Sequence, residues 1–233
     1  MTSEEFFQEL DARIAKHDLL CHPFYQAWAA GKLTRDDLRE YAEIYYHHVK
    51  AFPSYLAEFG MRLPEGELRR AVLTNMTEEN GGENSFGEPE APHSELWLDF
   101  AEGMGASRRA LRQPVAEIKA LINHYSEVAS QGLEEEALAA FYAYESQIPR
   151  VAKEKARGLR EMYGADAKTC AYFTLHTTAD VFHTNVWRQQ LGKRLQLNPQ
   201  NVEAALESGE QAARALWKAL DGIEEGRQSR IAA

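Results

Sequence analysis

The stretch HTTADVFHTNVW, residues 176–187, spaces two histidines and an aspartate at intervals that match the turns of an α-helix. If His176 is placed at 0° around the helix axis, Asp180 falls at about 40° and His183 at about −20°, because successive residues are about 100° apart. All three side chains would then share one strip of one helix, where they could bind a metal ion. The alternative is an ordinary polar helix face with two histidines, and further ligands elsewhere in the chain would decide between the two.

Glu145, in the stretch AAFYAYESQIPRV, is a further candidate ligand. An acid placed among Phe141, Tyr142 and Ile148 is rarely buried without a partner. Pro149 follows four residues later and cannot donate a hydrogen bond to the carbonyl of Glu145, so the helix must distort at this point. The alternative is a partly exposed glutamate beside a proline kink.

Two adjacent acids, Glu78 and Glu79, end another predicted helix in the stretch NMTEENGG. Glu79 is seven residues after Val72 and is nearly aligned with that apolar side chain, whereas Glu78 is turned away. Acids are disfavoured at a helix C-terminus by the macrodipole, which suggests another reason for their presence. We favour Glu79 as the ligand; Glu78 in its place, or two solvated acids, are the alternatives.

His93 begins the next predicted helix, in APHSELWLDF, and brings the candidate ligands to six: Glu79, His93, Glu145, His176, Asp180 and His183. Taken alone, His93 is more typical of a capping histidine than of a ligand. Three neutral imidazoles and three carboxylates nevertheless suit two divalent transition-metal ions, with a net site charge of about +1. Helical bundles build such centres from inward-facing side chains on separate helices.

The elements that must position these residues are all helical, because apolar residues recur at helical intervals and no segment alternates like a strand. Thr2 or Ser3 should cap the first helix, and the second should end at Gly31. Pro53 should kink or interrupt the helix at residues 34–59. The other helices are expected at about 66–80, 93–104, 106–130, 133–162, 166–193 and 199–224, with a loop at 81–92 and a frayed C-terminus. This pattern predicts one all-α bundle.

The composition sets limits on the class of protein. A chain of 233 residues fits one domain, residues 1–233, that can bury a real core. A formal charge of −10 without a basic cluster argues against nucleic-acid binding. No apolar run approaches the ~18 residues that a membrane span needs, and the N-terminus does not read as a signal peptide. The two cysteines form no disulfide framework, so we expect a cytoplasmic protein.

Six stretches resemble a known family: HPFYQAWAAGKLT, YAEIYYHHVKAFPSYL, NMTEENGG, PHSELWLDFA, YESQIP and LHTTADVFHTNVW. They are similar to the chlamydia protein associating with death domains and its bacterial relatives, over residues 18–190. The resemblance implies a heme-oxygenase-like bundle of seven or eight helices with an oxygen-activating dimetal site, related to pyrroloquinoline quinone synthase and thiaminase II. It also implies ligand roles for the same six side chains. One departure is the gap between Glu79 and His93, which is longer here than in the family.

The resemblance further implies that this protein makes p-aminobenzoate for folate biosynthesis by oxidative cleavage of one of its own tyrosines, with a lysine as amino donor. The matching positions are Tyr25 and Lys155, and nearby family tyrosines match Tyr41, Tyr144 and Tyr172. The pattern of residues alone would instead favour core tyrosines and a solvated lysine.

For cofactors and partners we expect two iron ions or a mixed iron–manganese pair, dioxygen, a reductant and a homodimeric assembly. Three other functions stay open: hydrolysis of a thiamine-like substrate, a cofactor-free oxidase like pyrroloquinoline quinone synthase, and a protein-interaction module. The hydrolase would need a positioned thiolate, and neither Cys21 nor Cys170 is well placed for that role. His47 is expected in the core and His48 on the surface.

Overall fold

A computed structural model describes residues 2–82 and 91–232, and the regular structure of these residues is entirely helical, as predicted. The helices are α1 (Ser3–Ala15), α2 (Pro23–Ala29), α3 (Arg35–Arg62), α4 (Glu67–Glu79), α5 (His93–Gly103), α6 (Ala116–Gln131), α7 (Glu134–Glu145), α8 (Ile148–Met162), α9 (Ala171–His176), α10 (Ala179–Leu197) and α11 (Val202–Ile231). Short 3₁₀ turns lie at Leu19–Cys21 and Pro199–Asn201. Most of the loop predicted at 81–92 lies outside the described residues.

Several helix boundaries follow from local sequence chemistry. Thr2 caps α1 through a reciprocal pair of hydrogen bonds with Glu5, and Thr34 caps α3 in the same way with Asp37. Gly31 follows α2 with a φ of 65°, a conformation that favours glycine. These caps confirm the predicted starts of α1 and α3 and the predicted end of α2.

Pro53 does not interrupt its helix, and two predicted boundaries are wrong. Helix α3 continues through Pro53, because its buried face packs against α4, α5 and α6 and outweighs one lost backbone hydrogen bond. Helix α6 begins at residue 116 rather than 106, since Gly105 has a φ of 98° and Pro114 disfavours helical conformation in the residue before it. Helix α11 extends to residue 231 instead of fraying, because Arg230 forms ion pairs with Asp37 and Glu40 of α3.

Two predicted long helices are each divided beside a candidate ligand. The helix predicted at 133–162 breaks at residues 146–147, directly after Glu145, where Pro149 was expected to distort it. The helix predicted at 166–193 begins at residue 171 and breaks at Thr177 and Thr178, whose hydroxyl groups donate to the carbonyls of Thr174 and Leu175. His176 therefore ends α9, while Asp180 and His183 lie on α10.

In the bundle α7 packs on α10 and α11, α3 packs on α4, α5 and α6, and α6 also packs on α11. His48 is completely buried among aromatic rings, and His47 is half-buried and bonded to the carbonyl of Arg112. The predicted assignment of these two histidines is thus reversed, because His48 follows Tyr41 and Tyr45 at helical intervals on the inner face of α3. None of the helices formed by the described residues has the length and apolar character needed to cross a membrane.

Candidate metal centre

The structure gathers the six predicted ligands into two buried groups of three. One group contains Glu79, His93 and His176, the other Glu145, Asp180 and His183. Within each group, ligand atoms of the three side chains all lie within 4.8 Å of one another. Most of these residues stand at or next to a helix end: Glu79 ends α4, His93 begins α5, Glu145 ends α7, His176 ends α9 and Asp180 is the second residue of α10. The helix ends thus bring these candidate ligands together in the two groups.

In the first group, a carboxylate faces two imidazoles. His93 Nδ1 lies 2.8 Å from Glu79 Oε2, and the rings of His93 and His176 are 4.7 Å apart. His176 Nδ1 lies 2.7 Å from the carbonyl oxygen of Tyr172, so it donates there and leaves Nε2 as the ligand atom. Burial alone would raise the pKa of Glu79, but the charge and hydrogen bond of His93 outweigh it and lower that pKa. Burial lowers the pKa of His176 and favours its neutral, ligating form.

In the second group, Glu145 is held by two donors. Its Oε1 accepts a 3.1 Å hydrogen bond from Asn75 Nδ2, and its Oε2 accepts one from Trp187 Nε1. His183 Nδ1 lies 3.9 Å from Glu145 Oε2 and 3.5 Å from Asp180 Oδ1. Burial raises the pKa of Glu145 to about 8. The metal-free site would therefore hold a proton on this carboxyl at neutral pH.

Glu78 also reaches the site, although the helical pattern predicted that it is turned away. Its Oε2 lies 2.6 Å from His183 Nε2, and both Glu78 and Glu79 are buried. The two adjacent side chains can both point inward because the end of α4 has candidate ligands on two sides, with His93 facing Glu79 and His183 facing Glu78. Four carboxylates and three neutral imidazoles would bring the charge of a site with two divalent ions to about zero.

The residues present fit two transition-metal ions. Imidazole and carboxylate together are the donors that iron, manganese and zinc accept. Oδ2 of the buried Asp180 has no hydrogen-bond partner among the residues described, and leaving such an atom unsatisfied costs about 1–3 kcal/mol. A cation between the carboxylates would remove this cost and the mutual repulsion of the acids.

A second cluster, formed by Lys155, Tyr25 and Tyr41, joins helices α8, α2 and α3. Lys155 Nζ lies 2.7 Å from the Tyr25 hydroxyl and 2.5 Å from the Tyr41 hydroxyl, and the two hydroxyls are 2.9 Å apart. Lys155 is only 6% exposed, so the solvated lysine that the residue pattern favours is wrong. Burial lowers the pKa of Lys155 and raises the pKa of both tyrosines, in each case strongly. Burial thus favours the neutral form of the amine and of both phenols.

A cavity of about 20 Å³ lies between this cluster and the candidate metal centre. Tyr25 and Lys155 line one part of it, and Tyr144 and Tyr172 line another. The ring of Tyr172 stacks on His176 with centroids 4.0 Å apart, and Tyr144 directly precedes Glu145. Because a water molecule needs about 10–15 Å³, the cavity accommodates one small molecule. Four of the five residues that the resemblance singled out thus line one space beside the candidate ligands, and the fifth, Tyr41, contacts two of them, Tyr25 and Lys155.

Comparison with known proteins places this chain in a family. Residues 39–217 match a protein family described as iron-containing redox enzymes. The chain belongs to this family. It is similar to a 4-aminobenzoate synthase of Chlamydia muridarum (strain MoPn / Nigg), with 37% identity over 95% of this chain and 91% of that protein. It is also similar to a 4-aminobenzoate synthase of Nitrosomonas europaea, with 35% identity over 97% of this chain and 93% of that protein.

The fold of this iron-containing redox enzyme is the heme-oxygenase-like one that was predicted. It superposes with a TM-score of 0.80 on a domain of unknown function with a heme oxygenase-like fold from Shewanella denitrificans OS217, over 98% of this chain and 94% of that chain at 17% identity.

Neither cysteine is positioned to act as a thiolate nucleophile in this site. Cys170 is buried on the turn that precedes α9, and burial raises the pKa of its thiol. Cys21 is exposed at the end of a 3₁₀ turn. A nucleophile for thiamine hydrolysis would need a lowered thiol pKa, which is the opposite of the shift at Cys170, and Cys21 lies away from the candidate ligands at the surface.

Residues that the sequence reasoning missed are Asn75, Trp187, Tyr45 and Trp97. Trp187 could have been found, because it follows His183 by four residues and shares its helix face. Tyr45 and Trp97 line the small cavity, with rings stacked 5.4 Å apart. No local signal separates them from ordinary aromatic core residues.

Proposed function

We propose that this iron-containing redox enzyme makes p-aminobenzoate by oxidative cleavage of its own Tyr25, with Lys155 as the amino donor. On this proposal it is a member of the group around the chlamydia protein associating with death domains. The observation that carries the proposal is the 2.7 Å contact between Lys155 Nζ and the Tyr25 hydroxyl, in a buried cluster one small cavity away from the candidate ligands. The two relatives named 4-aminobenzoate synthase support the product.

The product and the residues match atom by atom. p-Aminobenzoate has the aromatic ring and one further carbon of a tyrosine side chain, with an amine where tyrosine carries its hydroxyl. Converting Tyr25 therefore requires that the Cα–Cβ bond breaks and that dioxygen serves as the oxidant that turns Cβ into a carboxylate. Nitrogen must also replace the phenol oxygen, which leaves as water, while the Nζ–Cε bond of Lys155 breaks and Cε is oxidised to an aldehyde. Lys155 Nζ is within hydrogen-bonding distance of that oxygen. The amine therefore lies beside the ring carbon to which it must be transferred.

Glu79, His93 and His176 would hold one ion, and Glu145, Asp180 and His183 the other, with Glu78 beside them. When bound, two iron ions or an iron–manganese pair would supply the activation of dioxygen. Tyr172 orients His176 through its carbonyl oxygen, as a ligating histidine requires. Tyr144 and Tyr172 are buried and line the small cavity that Tyr25 also lines.

The Lys155 cluster prepares the amine for its role. An amine can attack a carbon only in its neutral form, and burial keeps Lys155 neutral by lowering its pKa. Tyr41 bonds both the amine and Tyr25, so it fixes their relative position. It also offers a hydroxyl that can pass on the proton that Tyr25 loses when its ring is oxidised.

The test uses whole protein whose tyrosine rings carry an isotope label. Reduced, metal-loaded protein given dioxygen and no aromatic substrate should release at most about one labelled p-aminobenzoate per chain, because a consumed residue permits no turnover. Tyr25→Phe should abolish release while metal binding is kept, and Lys155→Arg should also abolish it, since a guanidinium stays protonated. Tyr125→Phe, a buried tyrosine outside the cluster, is the control and should release product. Many turnovers on an external substrate, or full release from Tyr25→Phe, would refute the proposal.

The proposal also includes a homodimeric assembly, a reductant that supplies electrons and a cytoplasmic location. Light scattering measures whether the protein is a homodimer. A monomer in solution would remove the homodimer from the proposal without affecting the chemistry of Tyr25.

A further inference from the structure

An apolar cavity of about 180 Å³ lies between α4 and α10, on a different side of the candidate metal centre from the Lys155 cluster. Ala71 and Thr74 of α4 and Phe182 and Val186 of α10 form its upper walls. Thr74 is exposed, Ala71 and Val186 are half-buried, and Phe182 is 48% exposed. The cavity therefore reaches the protein surface as far as the described residues show.

The floor of the cavity consists of residues that belong to or contact the ligand set: Asn75, Glu78, His183 and Trp187. His183 is a candidate ligand itself, and Glu78 lies 2.6 Å from it. Asn75 and Trp187 both donate hydrogen bonds to the candidate ligand Glu145. The cavity thus extends from the surface to side chains that surround the second group of ligands.

The size and the lining of the cavity indicate which kind of molecule it can bind. Apolar cavities of about 150 Å³ take up xenon or benzene, so the apolar walls and the volume of this cavity suit a small, uncharged, apolar molecule. A charged substrate would find only one carboxylate and one imidazole, which are already bonded to each other. Dioxygen is small and apolar, and it is the co-substrate that the proposed function requires.

We infer that the α4–α10 cavity is the route by which dioxygen reaches the metal centre, with Phe182 and Val186 at its mouth. This inference rests on the proposed function for the identity of the gas, but the cavity itself can be tested without it. The position of Phe182 follows from the sequence, because it lies between the candidate ligands Asp180 and His183 and is turned outward from both. An exposed aromatic ring at this point covers the opening with an apolar surface.

The first experiment uses xenon and metal-free protein. Crystals pressurised with xenon should show a xenon atom between Ala71 and Val186, because xenon binds in apolar cavities of about this size. The variant Val186→Trp should lose this atom, since the indole fills the space. Asn185→Trp, the same change at the adjacent exposed residue outside the cavity, should keep it. Absence of xenon from this cavity in the unmodified protein would overturn the inference.

The second experiment measures the reaction of the reduced, iron-loaded protein with dioxygen by stopped-flow absorbance. Val186→Trp should slow the oxygen-dependent step by about tenfold or more. Dioxygen could then reach the site only when the close-packed helices separate transiently. Iron stoichiometry and the final yield of product should match those of Asn185→Trp. Ala71→Phe, which fills the cavity from α4, provides a second blocked variant if Val186→Trp does not fold.

The outcomes separate the two proposals. Equal oxygen dependence of Val186→Trp and Asn185→Trp would overturn the access route, even if p-aminobenzoate is formed. Slower oxygen consumption by Val186→Trp, without p-aminobenzoate from any variant, would support the route and refute the proposed function.

Discussion

Replacing Lys155 by methionine should stabilise the folded metal-free protein at neutral pH, and the gain should shrink as the pH rises. Burial holds the pKa of Lys155 well below its ordinary value of 10.5, whereas the unfolded chain has that ordinary value. Between these two values the unfolded state binds one more proton than the folded state. Raising the pH therefore stabilises the unmodified protein. Methionine has no proton to bind, so its contribution does not change with pH.

The size of the effect follows from this one proton. The free energy of unfolding of the unmodified protein should rise relative to Lys155→Met by about 1.4 kcal/mol per pH unit, or roughly 2 kcal/mol between pH 8 and pH 9.5. Other titrating groups are common to both proteins and cancel in the difference. The substitution leaves the hydroxyls of Tyr25 and Tyr41 hydrogen-bonded to each other at 2.9 Å, so each buried hydroxyl keeps a hydrogen-bond partner.

Urea unfolding of both proteins at a series of pH values measures this difference directly. Lys153→Met, an exposed lysine two residues away on α8, is the control, and its difference from the unmodified protein should stay constant. A constant difference for Lys155→Met as well would show that Lys155 is charged in the folded state. The neutral amine on which the proposed chemistry depends would then be excluded.

The other predictions concern the metal centre. Asp180→Ala should leave a helical protein by circular dichroism that binds markedly less iron or manganese by elemental analysis; unchanged stoichiometry would contradict its role as ligand. Glu78→Gln and Glu79→Gln should each weaken metal affinity by about tenfold or more, since both carboxylates contact a candidate ligand, and a variant with unchanged affinity would exclude that residue from the site. Because the pKa of Glu145 is raised to about 8, metal affinity measured by calorimetry should increase as the pH rises toward 8, by up to about tenfold per unit. An affinity that stays constant from pH 6 to pH 8 would exclude a proton on Glu145.

The six candidate ligands could be picked out from the sequence because their chemistry is local. Histidines and acids at helical intervals, or embedded in apolar stretches, stand out against the rest of a helix. The distortion after Glu145 was predictable for the same reason, since Pro149 removes a hydrogen bond within its own helix. Caps at Thr2 and Thr34 also depend only on residues three positions away.

The orientation of Glu78 and the environment of Lys155 were decided by the tertiary structure. The pattern turns Glu78 away from the apolar face of its own helix, but His183 of a distant helix meets it there. Lys155 looks like a solvated lysine within α8, yet α2 and α3 enclose its amine with Tyr25 and Tyr41. Helical spacing specifies which side of a helix a residue occupies. The pKa and reactivity of the residue depend on the side chains of other helices that contact it there.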